Sequence, residues 1–94
     1  MSQYARGATF ERATKAHLEP VGYVVIRAAG SHGEADLVAL RAGSMPLLVS
    51  CRINGKIGPL EREALHSAAK RAGGHPVLAC RPSRGRIELR DVQP

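Results

Sequence analysis

Apolar and polar residues follow two different periods along this chain, and the switches between them mark out its elements. Residues 8–18 place Phe10, Ala13, Thr14, His17 and Leu18 on one helical face, with Glu11, Arg12 and Lys15 elsewhere on the wheel. That spacing predicts an amphipathic helix. Residues 2–7 are polar, include Gly7, and read as a loose arm bearing Arg6. Pro20 and Gly22 end the helix. Residues 23–27 are β-branched and predict a strand, and residues 36–40 and 46–52 predict two more. The link at 42–45 is short enough for a hairpin, while 29–33 and 54–58 read as loops.

Pro59 opens a second helical pattern, to about residue 71, in which Leu60, Ala64, Leu65, Ala68, Ala69 and Ala72 form an apolar stripe. Proline suits a first helical turn, and Gly73 with Gly74 suits the stop. Residues 76–80 form a continuous apolar run expected of a buried strand, 81–85 a turn, and 86–90 an alternating edge strand. The order α-β-β-β-α-β-β predicts an α/β fold, a sheet flanked by two helices in one domain over residues 1–94.

The predicted core is aliphatic, because the chain has only Tyr4, Phe10 and Tyr23 as aromatics and no Trp. A core this small gains from a partner subunit. Fourteen Lys and Arg against eight Asp and Glu give a net charge of +6 and a pI near 10.2. Such a balance points to a polyanionic partner, nucleic acid ahead of membrane, although a basic protein kept soluble by its charge has the same composition. Cys51 and Cys80 read as free, buried thiols of a reducing compartment. No apolar run approaches membrane-spanning length and the N-terminus lacks the core of a signal peptide, so a soluble, cytoplasmic, DNA-associated protein is expected. His17, His32, His66 and His75 lack zinc-ligand spacing, and the loop at 30–33 lacks the Gly-Lys-Ser/Thr phosphate-binding signature.

Strand alternation puts Leu48, Ser50 and Arg52 on one face of the third strand and Leu47, Val49 and Cys51 on the other. A hairpin turning near residues 43–44 sets Asp36 opposite Ser50 or Cys51. A carboxylate and a guanidinium at the end of a small apolar sheet carry a desolvation cost. Two readings fit them equally: an exposed sheet end with an ordinary Asp36–Arg52 ion pair, or a built site.

The stretch Gly30-Ser31-His32-Gly33-Glu34-Ala35-Asp36-Leu37-Val38-Ala39-Leu40 resembles a segment of the archaeal-type Holliday junction resolvases, metal-dependent nucleases of the PD-(D/E)XK class. In that family Gly-x-x-Asp-Leu-Val-Ala introduces a metal-binding Asp, and an (Asp/Glu)-x-Lys tripeptide follows on the next strand. Ser50-Cys51-Arg52 stands in that place here. Arg6-Gly7-Ala8-Thr9-Phe10-Glu11-Arg12 is similar to the family's first helix, which supplies an active-site Glu followed by Arg. Arg27 falls where the family places a functional Arg, and the likeness runs over nearly the whole chain.

The resemblance implies a restriction-endonuclease-like mixed sheet of about five strands between two helices. It implies a homodimeric, structure-selective endonuclease that cuts four-way or other branched DNA with Mg2+ or Mn2+. Carried over residue by residue, Glu11, Asp36, Ser50 and Arg52 take catalytic positions. Asp36, Glu11 and the backbone carbonyl of Cys51 hold the metal, and Arg6, Arg12 and Arg27 meet DNA. Apart from the resemblance, His32 in the loop before Asp36 either touches phosphate or water or is a loop-exposed histidine, and Lys56 is a further candidate for DNA contact. Phosphodiester cleavage suits this set, since a divalent ion held by oxygens activates water and neutralises developing charge. Ser50 brings no negative charge, and Arg52 keeps the tripeptide's cation but is a poor proton carrier. Weakened metal affinity with activity retained is the expectation. Glu34 either stands in for the missing carboxylate or is a solvated loop residue. Arg81, Arg84, Arg86 and Arg90 form either a DNA-backbone stripe or a solvated basic edge. Two other functions stay open: a nuclease-fold DNA-binding module that has lost cutting, and a basic scaffold with no nucleic-acid role.

Overall fold

A computed structural model describes residues 3–28, 34–83 and 85–93, without the side chains of residues 3–6. The chain runs through α1 (Gln3–Leu18), a 3-10 turn (Glu19–Val21), β1 (Val24–Arg27), β2 (Leu37–Leu40), β3 (Leu47–Cys51), α2 (Pro59–Ala72), β4 (His75–Ser83) and β5 (Arg86–Asp91). The five strands lie in chain order in one sheet. The β1–β2, β2–β3 and β4–β5 pairs are antiparallel, while β3 and β4 are parallel with α2 as the crossover between them. This mixed sheet with two helices is the α/β architecture expected.

The alternation along β3 organises the core. Val49 packs on the α1 side with Phe10, Leu18, Val25, Leu37, Ala39, Val77 and Ala79, and partly buried Leu47 and Cys51 join them. Leu48 points to the other side, where it meets Leu65, Ala69, Leu78 and Val92. Because both faces of β3 and β4 are covered, β4 is apolar at every position from Val77 to Cys80. At the start of that crossover Pro59 opens α2, and Gly73, at φ 67°, closes it.

Four expectations are corrected. The helix begins at Gln3, so residues 3–7 are not a loose arm. One glycine at position 7 costs about 1 kcal/mol relative to alanine, too little to stop a helix anchored further on by Phe10, Thr14 and Leu18. His17, placed on the buried face, is exposed. Leu60 is 80% exposed and Ala72 is exposed too, so the stripe of α2 is shorter at both ends. The expected turn at 81–85 starts late, because β4 continues to Ser83 with a register shift between Cys80 and Ser83. Pro82, which has no N–H to give, falls inside that irregularity. Among the described residues, no helix is long and apolar enough to cross a membrane.

The topology gathers particular chain ends at one end of the sheet. Arg27 closes β1 and pairs with Leu37 at the start of β2, Leu37 pairs with Val49, and Cys51 at the end of β3 pairs with Ala79. The N-terminal turn of α2 follows β3 at this same end.

Candidate active site

The β2–β3 register, Leu37 with Val49, extends to set Asp36 against Ser50. The backbone confirms the approach, since the Asp36 N–H donates to the Val49 carbonyl at 2.8 Å. The Asp36 carboxylate then turns across the strand. Its Oδ2 accepts from the Cys51 N–H at 2.8 Å and from Arg52 Nη1 at 3.0 Å. Arg52 Nη1 also donates to the Cys51 carbonyl at 2.8 Å, and its Nη2 is held by Glu61 in the first turn of α2. Asp36, Cys51 and Arg52 are therefore in direct contact: Asp36 stands opposite Ser50, one of the two partners the hairpin left open, and the Asp36–Arg52 ion pair of the plainer reading is present. Ser50 sits beside them, only 4% exposed.

Arg52 is a cation on two carboxylates. Burial disfavours its charge, but the bond and charge of Glu61 together with Asp36 outweigh burial and push its pKa up. Cys51 lies on the other face of β3, where burial pushes its thiol up to about 12. A hydrogen bond with Thr14 and the Arg52 charge act against that rise, while Asp36 and Glu11 add to it. The thiol is partly buried against the α1-side core, so the expectation of a fully buried Cys51 is corrected, while Cys80 is buried.

Glu11 is on α1, one residue after the buried Phe10, and takes both Arg27 Nε at 3.4 Å and Nη2 at 3.3 Å on its Oε1. Glu11 and Arg27 form a second charged pair at this sheet end. Arg12 and Lys56 are exposed, and the Lys56 N–H donates to Asn54 Oδ1 within the loop after β3. The Arg6 side chain and all of His32 lie outside the described residues. Glu34 is half-exposed and pairs with Arg71 at 3.7 Å, so it follows the solvated reading and does not fill the place of a carboxylate at Ser50. Arg81 lies over the Phe10 ring at 5.5 Å, whereas Arg90 pairs with Glu88. These two arginines have different settings, and Arg84 lies outside the described residues.

Glu61 is the residue that sequence reasoning missed. An acidic residue in the first turn after a proline is read as a favourable partner of the helix dipole, and no local signal says that it reaches Arg52.

As a cation-binding arrangement, the donor set is mixed. Asp36 Oδ2 and the Cys51 carbonyl converge on one cationic nitrogen, so two hard oxygen donors already share a cation position. Among the described residues, no group of three or more His, Cys, Asp or Glu side chains is arranged to hold a metal ion. Two oxygens with water completing the shell fit a magnesium-like ion, which keeps several waters and takes one or two carboxylates.

The archaeal Holliday junction resolvase (Hjc) family model matches residues 2–93. The chain belongs to that family. A crossover junction endodeoxyribonuclease Hjc from Methanocaldococcus jannaschii is 41% identical over 81 residues, covering 82% of this chain. The match covers 59% of that relative, so this chain spans about three fifths of its length. The solved structure of Archaeoglobus fulgidus Hjc, a Holliday junction resolvase from an archaeal hyperthermophile, superposes with a TM-score of 0.81 at 25% identity. That superposition covers 94% of this chain and 74% of the other. At the sheet end that carries Asp36, Ser50 and Arg52 follow on β3 and Glu61 reaches in from α2.

Proposed function

We propose that this chain is a structure-selective, metal-dependent endodeoxyribonuclease that cuts four-way or other branched DNA. One observation carries the reading: in a chain of the resolvase family, the Asp36 carboxylate and the Cys51 carbonyl both accept from Arg52 Nη1, at a sheet end that also bears the Glu11–Arg27 pair. The resolvase family works with a divalent metal ion, and here Mg2+ or Mn2+ would be held by Asp36 and the Cys51 carbonyl, with Glu11 in support. Such an ion supplies an activated water and neutralises charge on the phosphate.

The chain's own residues then divide the remaining work. Arg52 clamps the phosphate beside the cut, and its planar fork suits two phosphate oxygens better than a lysine does. Arg27 orients Glu11 while leaving part of its guanidinium exposed to the backbone. Arg6, Arg12, His32 and Lys56 meet phosphates away from the cut, and Ser50 holds water within the site. Symmetric cutting of a junction needs two sites facing two strands, which favours a homodimer with one site in each single-domain subunit. The protein would act in the cytoplasm, on nucleoid DNA.

The deciding experiment is cleavage of a labelled four-way junction with Mg2+ or Mn2+, alongside Asp36→Ala. Cutting by the parent and not by the variant supports the reading. A parent that binds the junction and never cuts at any metal concentration supports the DNA-binding module instead, which the serine at position 50 favours. Binding itself should fall with a log–log salt slope of about −4.5 for roughly five phosphates. A slope near zero leaves only the scaffold reading. Sedimentation of the free protein and of its junction complex tests the dimer.

A further inference from the structure

Arg52 Nη1 rests on Asp36 Oδ2 at 3.0 Å and on the Cys51 carbonyl at 2.8 Å. These are the two oxygens that the proposed function gives to the divalent ion. A second positive centre cannot share that pair of acceptors without strong repulsion at hydrogen-bond distance. Nη2 of the same guanidinium is held by Glu61, on a different element from the two oxygens. The side chain is 35% exposed, so it can turn outward without passing through the core.

We propose that Arg52 is the resident counter-ion of the metal site, placed on the metal's own ligands until a divalent ion displaces it. The proposal rests on the reading of Asp36 and the Cys51 carbonyl as metal ligands. On displacement only the Nη1 end has to leave, because Glu61 keeps hold of Nη2 and retains the arginine beside the site. A lysine has one nitrogen and cannot hold both anchors in this way. The freed Nη1 then has donors to offer a phosphate oxygen. Metal loading and phosphate clamping are coupled through one side chain: Arg52 is free to bind DNA once it no longer serves as the cation on Asp36.

The test is Mn2+ binding to the full chain without DNA, by calorimetry, for the parent, Arg52→Gln, Arg52→Met, Arg81→Met and Asp36→Asn. The folding of each is checked by its circular dichroism melt. Losing a charge-assisted competitor should tighten Mn2+ binding of both Arg52 variants by roughly tenfold. Arg81→Met removes the same charge at the same sheet end, from Phe10 instead of Asp36, and should change affinity by no more than about twofold. In the parent, Mg2+ titration should shift the arginine side-chain NMR signals of Arg52 and leave those of Arg81 in place, a readout that needs no variant.

Arg52 variants that bind no tighter than Arg81→Met, with Arg52 signals unmoved by Mg2+, overturn the displacement while an Asp36→Asn loss of binding keeps the metal site. Should Asp36→Asn bind as well as the parent, the site reading falls and takes the proposal with it. Absence of binding in the parent but not in Arg52→Gln supports the proposal in its strongest form, and absence in both overturns it.

Discussion

Replacing Asp36 by asparagine keeps the size of the side chain and removes its charge, so it separates what the carboxylate holds from what it catalyses. Asp36 Oδ2 takes two donors, the Cys51 N–H and the Arg52 guanidinium. The amide oxygen of asparagine can still accept from one of them, but as a neutral acceptor, and Arg52 is left to Glu61. A hydrogen bond to a charged group contributes about 1.5–3 kcal/mol against about 1 for a neutral one, and the partial exposure of this pair lowers its share. The expected loss is about 1–2 kcal/mol. For a domain of this length that lowers Tm by roughly 5–15 °C. Cleavage should fall much further. Mutating an outer-shell partner of a metal costs about 10–100-fold, and loss of a ligand should exceed the upper figure. Junction affinity should hold or tighten, since a negative charge facing phosphate has gone. Thermal melts come first, and cleavage and gel-shift assays follow well below the variant's Tm. A folded Asp36→Asn protein that cuts at the parent's rate would refute the assignment of this sheet end as the site.

Three further outcomes follow from single residues. Ser50→Glu puts a carboxylate where the family resemblance leads one to expect it. At about 4 Å from a cation it gains roughly 4 kcal/mol at an effective dielectric of 20 before its own desolvation is charged against it, so the metal needed for half-maximal cutting should drop several-fold, and an unchanged metal titration would count against the site. A Cβ added at Gly74 would stand 2.8 Å from the Pro46 carbonyl and 2.9 Å from Leu48 Cδ1, so Gly74→Ala should lose about 1–3 kcal/mol in urea unfolding, whereas parent-like stability would mean that the α2–β4 junction is not so close. The Cys51 thiol is raised in the fold from its ordinary 9.0 to about 12, so the unfolded chain releases this proton first; stability from this group is intact below pH 9 and is lost as pH rises toward 12. Urea unfolding from pH 8 upward should show a shallower decline for Cys51→Ala than for the parent, and parallel declines would contradict the burial of the thiol.

The parts of the fold legible in the sequence are those set by local pattern. The alternation Leu47–Cys51 assigns each residue of β3 to a helix, and the short link at 42–45 fixes the hairpin that brings Asp36 to Cys51 and Arg52. Pro59 and Gly73 bracket α2 for reasons visible in one turn of chain. What the pattern hides depends on tertiary contact. Residues 2–7 read as a loose arm because their polarity and Gly7 are local signals, while the anchoring of α1 through Phe10 and Leu18 is not. The continuation of β4 past Cys80 depends on a neighbour, for the Arg81 N–H donates to the Ile53 carbonyl at 3.0 Å. Glu61 was illegible for the same reason, since its role is set by where α2 crosses the sheet and not by its own surroundings in sequence.

The two departures from the family tripeptide make sense together once charge is followed through the sheet end. A carboxylate at Ser50 would be almost wholly buried, next to Asp36, and two like charges so placed oppose each other's ionisation. The carboxylate that is present besides Asp36 on this arginine is Glu61, more exposed and on the other nitrogen of the guanidinium. The cluster of Glu11, Asp36 and Glu61 with Arg27 and Arg52 has a formal charge of −1 in a chain whose total is +6. A locally negative site in a chain of net positive charge would attract a polyanion to the protein while discouraging phosphate at the site itself. A divalent ion at the proposed site would turn the same cluster to +1 and so favour phosphate there. On this account the arginine at position 52 does not replace lysine as a proton carrier. On the proposal above it would keep phosphate from the site until a divalent ion binds, and the same ion would free the guanidinium for the phosphate that enters.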